Sequence, residues 1–142
     1  MGFLYSQLDP QLRANEPIIV AIPIELTNGN DGRGSKWFSS AKMRKDIEAK
    51  LRALGMVRAE PIPYRCVNTV TRVLGKGQRL WDSSSVGRGN WKEIEDALVV
   101  CGWWIDDCPK YIAQTAFMQD DTRRDDGPYV VLKIEEYKQA SA

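Results

Sequence analysis

Four short runs rich in apolar and β-branched residues, divided by two longer stretches of helical period, limit what this chain can fold into. The first run, PIIVAIPIEL over residues 17–26, is too short and too β-rich for a helix. It predicts a strand, and Pro23 puts its end at a sheet edge or a bulge. Asn-Gly and Asp-Gly pairs make residues 27–35 a loop. Beyond it Met43, Ile47, Leu51 and Leu54 follow helical spacing, with Ser39 or Ser40 available as the cap and Gly55 as the stop. Asp46–Lys50 and Glu48–Arg52 are supporting i,i+4 pairs. YRCVNTVTRV, residues 64–73, predicts a second strand with one wet face, followed by a turn at 74–78 and an irregular loop at 80–89.

Trp91–Val100 predicts a second helix whose buried stripe is Ile94, Ala97, Leu98 and Cys101. Strands over 111–118 and 129–135, joined by the polar tip at 120–127, are expected to form a hairpin. The order predicts an α+β domain with one mixed sheet of about four strands and two main helices on one face. Ile47, Leu51, Ile94 and Leu98 should be buried together.

At 142 residues the chain suits one domain, taken as residues 17–137, with an N-terminal arm at 1–16 and a short tail at 138–142. No run approaches the roughly 18 apolar residues of a membrane span. The first residues lack the basic and apolar regions of a secretory signal, so a cytoplasmic protein is expected. Histidine is absent, which excludes Ser-His-Asp and Cys-His catalysis and imidazole-based metal sites. Cys66, Cys101 and Cys108 are odd in number and contain no C-x-x-C pair, which argues against a disulfide framework or a zinc ribbon. Acid–base or metal chemistry must then fall to carboxylates, Lys, Tyr or water.

A net charge of +1 means that binding to a polyanion needs local clusters. Two exist: Arg33, Lys36, Lys42, Arg44 and Lys45, and then Lys76, Arg79 and Arg88. A mixed-charge helix surface accounts equally for the first. The loop carrying Asn28 and Asn30, followed by Arg33, Lys36 and Trp37, is the candidate DNA-facing edge. Gly87 and Gly89 flank Arg88, an arrangement able to embrace a phosphate. Trp37, Trp103 and Trp104 can stack on bases, although aromatics at such positions more often fill a core.

The chemistry concentrates between Asp82 and Lys110, where a Ser/Gly-rich loop feeds the second helix and a Gly-Trp-Trp turn delivers Asp106 and Asp107. Carboxylates at the ends of one short helical unit suit Mg²⁺, which demands oxygen ligands. Asp106 can instead cap the turn at Pro109, and Asp82, the only acid between Glu60 and Glu93, can be a simple turn residue. Lys92 stands one turn before Asp96 in the less favourable order for helix pairing, so helix stability explains it poorly.

Lys92, then Asp96-Ala97-Leu98, then Gly102 and Ile105-Asp106-Asp107, with Pro109-Lys110 trailing, form a pattern. It resembles the second half of the signature of RusA-type endonucleases, which resolve Holliday junctions. The first half, D-x-D-N, stands here as Asp82-Ser83-Ser84-Ser85. Ser84 thus falls at the second Asp and Ser85 at the Asn, with one extra residue before Lys92. Ile22-Pro23-Ile24 ahead of an Asn-rich loop and a basic helix extends the resemblance over most of residues 17–137.

The resemblance implies a homodimer that cuts branched, four-way DNA with Mg²⁺, or Mn²⁺ as substitute. Asp82 and Asp107 would be metal ligands with Asp106 in support, and Lys92 would stabilise charge on the scissile phosphate. A serine at 84 is a neutral and weaker ligand, which shifts the burden to another acid such as Glu93 or Asp96. The alternative is a catalytically weakened or inactive branched-DNA-binding protein of the same fold. A third reading is a small interaction module unrelated to nucleic acid.

Overall fold

The structure, a computed structural model, describes residues 16–28 and 36–138, with the side chains of the first helix described from Ser40 onward. The expected candidates Asn30 and Arg33, and the side chains of Lys36 and Trp37, lie outside the described residues. Four strands form one sheet: β1 (Ile18–Ile22), β2 (Cys66–Val73), β3 (Ile112–Asp120) and β4 (Tyr129–Glu136), in the order β1-β4-β2-β3. β4 runs antiparallel to both neighbours, whereas β2 and β3 are parallel, so the sheet is mixed. β1 occupies an edge of the sheet, one of the two outcomes Pro23 predicted, and Pro23 just beyond it cannot donate to a ladder.

The helices α1 (Lys36–Ala53) and α2 (Trp91–Val100) pack on one face of this sheet, giving the expected α+β architecture. That face is built by alternation: Cys66 and Val70 on β2 and Val130, Leu132 and Ile134 on β4 are buried, with their neighbours in sequence more exposed. Ile47 and Leu51 from α1 meet Ile94 and Leu98 from α2 in the same core. Gly55 ends α1 at φ +75, with its N–H on the Arg52 carbonyl at 3.1 Å and the Met56 N–H on that of Leu51 at 2.9 Å.

Several expectations need correction. β3 and β4 do not form a hairpin, since β2 lies between them. The connection through α2 sets β3 parallel to β2 on one side, and β4 takes the other. Crossing one strand requires roughly 10 Å at the usual strand spacing, a span residues 121–128 can bridge but a two-residue turn cannot. Arg124 fastens this crossing by donating to the carbonyls of Gly75 (2.9 Å) and Gln78 (2.6 Å). Ser39 and Ser40 lie inside α1 rather than capping it, and Ser40 Oγ donates to the Glu93 carboxylate on α2. Asp46 pairs with Lys42 at 2.9 Å rather than with Lys50, while Glu48–Arg52 forms at 3.1 Å. Leu54 follows the helix and is exposed. Residues 83–88, expected to be irregular, form a 3₁₀ segment. No helix among the described residues is long and apolar enough to cross a membrane.

Candidate active site at the head of the second helix

Lys92 is the second residue of α2 and therefore projects from its first turn. Asp107 reaches it from beyond the other end of that helix by a chain reversal. Gly102 takes φ +91; its N–H bonds the Val99 carbonyl and that of Trp103 bonds Leu98, both at 3.0 Å. This closes the helix in a left-handed turn that favours glycine. A Cβ at Gly102 would also run into the Arg58 carbonyl oxygen. Trp103 and Trp104 then enter the core, and Trp103 Nε1 donates to the Met56 carbonyl at 3.1 Å. Both indoles are buried, so they anchor the turn and are not free to stack on bases.

From this anchored turn Asp107 returns to pair with Lys92 through a hydrogen bond from Nζ to Oδ2. Asp106 is exposed and supports the turn, its Oδ1 accepting the Asp107 N–H at 2.8 Å. Two further carboxylates flank the ammonium, Asp96 at 3.1 Å and Glu95 at 3.9 Å, from one turn along α2. The bond from Lys92 holds the Asp107 carboxyl below its ordinary range. The same bond pushes the Lys92 ammonium upward, so the pair is charged across neutral pH. Glu95 behaves oppositely: burial first, and then the Asp107 charge, push it up to about 7. An acid poised near neutrality beside a fixed ion pair is the most perturbed carboxylate of this cluster.

Asp82 stands at the entry of the 3₁₀ segment, exposed and without a side-chain bond capping it. Its carbonyl accepts the Ser85 N–H at 2.8 Å. Ser84 is exposed, whereas Ser85 is buried, so only Ser84 of the two serines offers its side chain to solvent. Arg88 is exposed and ends the segment. Asn90 leads into α2: its Oδ1 accepts the Thr27 N–H at 2.9 Å and its Nδ2 donates to the Glu25 carbonyl at 3.0 Å. Lys76 pairs with Asp125 at 3.3 Å on the surface, and Asn28 is part-buried beside Thr27.

No ion pair or hydrogen bond joins Asp82 to the Lys92 cluster among the described residues. Nor is any group of three or more Asp, Glu or Cys side chains there arranged around a common metal point. Glu95, Asp96 and Asp107 instead surround the ammonium of Lys92. Carboxylate and hydroxyl oxygens are the ligand type a hard cation takes, but the described residues do not gather them around a common point.

Glu95, Asn90, Arg72 and Gln119 are absent from the residues singled out by sequence. Arg72 carried a readable signal, since it shares the phase of Cys66 and Val70 on an alternating strand. No protein-family model matches the chain, and no curated protein matches it in sequence.

Proposed function

We propose that this chain is a Mg²⁺-dependent, structure-specific DNA endonuclease of the RusA type that resolves four-way junctions as a cytoplasmic homodimer. The observation that carries the reading is the pairing of Lys92 with Asp107. Lys92 lies in the first turn of α2 and Asp107 beyond its other end, and they are the lysine and final aspartate of the pattern that suggested the family. Asp107, kept ionised by Lys92, and the exposed Asp82 are the carboxylates that would hold the ion. Held there, Mg²⁺ would supply an activated water and neutralise charge on the scissile phosphate. Lys92, cationic at neutral pH, contributes a fixed positive charge for a phosphate oxygen as negative charge develops there. Arg88 is the exposed cation of the adjoining loop and suits a backbone phosphate.

The deciding experiment incubates a labelled four-way junction with and without Mg²⁺. Weak metal-dependent incision is expected, stronger with Mn²⁺, because the neutral Ser84 leaves the site one negative charge short of the pattern it resembles. Asp107→Asn should abolish incision while junction binding is retained or tightened, since a charge that repels phosphate is lost. Incision by Asp107→Asn at the wild-type rate would refute this site. Ser84 and the occupation of Asp107 by Lys92 favour a second reading, a branched-DNA binder without cleavage. Junction binding with no incision in either metal would select it.

A further inference from the structure

β3 is the edge of the sheet opposite β1, and the two edges are built differently. β1 has five residues, and Pro23 just beyond it limits any further ladder. β3 has nine, and its run Ile112–Gln119 (IAQTAFMQ) contains neither a charge nor a proline. Natural edge strands are commonly short or carry lysine, proline or a bulge, because a free row of N–H and C=O groups is a template for another strand. β3 has one such device, a register shift at Ala113, and beyond it the ladder to β2 is regular from Gln114 to Asp120. Along that stretch the backbone groups facing away from β2 bond no other described segment.

The side chains leave this edge open. The 3₁₀ segment packs on the Phe117 ring, so closely that a Cβ at Gly87 would lie 2.7 Å from it, and the Gln119 amide bonds the Trp81 backbone. Phe117 and Gln119 share the phase of their buried register partners Val70 and Arg72, so both contacts lie on the face that carries the helices. Gln114, Ala116 and Met118 alternate onto the opposite face, where Gln114 is exposed and Met118 is 55% exposed. The two ends of the strand carry opposite charges. Lys110 stands just before β3, and Asp120-Asp121 closes it. Lys110 and Asp121 are exposed, and neither forms an ion pair among the described residues.

We propose that β3 pairs antiparallel with β3 of a second copy of this chain, joining two four-stranded sheets into one across a twofold axis. Antiparallel alignment sets the Lys110 end of each strand beside the Asp120-Asp121 end of the other. The charges then attract at both ends, while the interior of the pairing is uncharged. A second copy supplies this match by symmetry, with one patch serving both subunits. An axis normal to the sheet keeps both helix layers on the same side. The two Lys92–Asp107 pairs then share one face of the dimer, a geometry suited to two cuts in one junction. The pairing rests on the proposed function only for its homodimer, to which it gives a surface, and needs none of its chemistry.

Sedimentation of the full chain over the micromolar range tests it, with hydrogen exchange to locate the contact and thermal unfolding recorded in parallel. The wild type should dimerise, and amides within Gln114–Gln119 should exchange more slowly as the dimer forms. Gln114→Lys combined with Met118→Lys sets like charges across the twofold axis and should weaken the dimer about tenfold or more. Both positions are exposed, so the unfolding temperature of the monomer should stay near that of the wild type. Lys110→Glu should also weaken the dimer, and adding Asp121→Lys should restore it, a rescue that a local effect of either substitution does not produce. If the lysine pair does not fold, this charge swap decides, and a dimer indifferent to it overturns the pairing. A dimer untouched by the two lysines overturns the pairing through β3 and leaves the proposed homodimer standing on another surface. A wild type that stays monomeric overturns both, and slow amides in that monomer would place another segment of this chain along β3.

Discussion

At the scale of single residues, Glu95 makes the sharpest prediction. Its carboxyl is pushed from an ordinary 4.5 up to about 7, chiefly by burial. An acid whose pKa is raised by folding contributes stability that is complete below pH 4.5 and lost as pH rises through 7. Urea denaturation should therefore show the wild type losing about 1–2 kcal/mol over that window, after allowance for partial solvent exposure. Glu95→Gln should flatten that slope. A slope unchanged by the substitution would remove Glu95 from the coupled cluster. Asp107 works in the other direction, because its carboxyl is lowered; its contribution is lost only as pH falls below the ordinary carboxylate range. Lys92 and Asp107 were picked out in the sequence by the resemblance to the family signature, which their type and spacing carry. Glu95 was not, because an acid on a charged helix gains its shift from neighbours and burial that spacing does not report.

At the scale of elements, the turn after α2 places Asp107, and one glycine makes the turn possible. Gly102→Ala should cost about 2 kcal/mol or more, combining left-handed strain with the approach of its Cβ to the Arg58 carbonyl. Equilibrium unfolding would measure it, and a loss below half that value would mean the backbone relaxes easily there. The boundaries of α2 and the stop of α1 were readable from apolar spacing and from Gly55, since both signals are local. The start of α1 was not: the serines proposed as its cap lie inside the helix, and Ser40 bonds across to Glu93. A capping residue and an interhelical donor look the same in one dimension.

For the molecule as a whole, the proposed function requires a surface that meets phosphates. Junction affinity should fall steeply as salt rises from about 50 to 200 mM, because every phosphate contact releases counterions. Affinity that stays flat over this range would count against nucleic acid as the partner. Sedimentation of the purified chain should give twice the monomer mass if two symmetric incisions come from a twofold dimer.

The sequence by itself determined the four strands, the two main helices and the meeting of Ile47, Leu51, Ile94 and Leu98 in the core. Each follows from local period or propensity, whereas Lys92 and Asp107 were selected by the resemblance. Only the tertiary structure decided that β4 inserts between β1 and β2, because polar tips of several residues permit either a hairpin or a crossing. It also decided that Lys92 meets Asp107, and that Arg72 and Gln119 close on Trp81 from two different strands. Those contacts join residues far apart in the chain and depend on strand order and on how the elements pack, which no local pattern encodes.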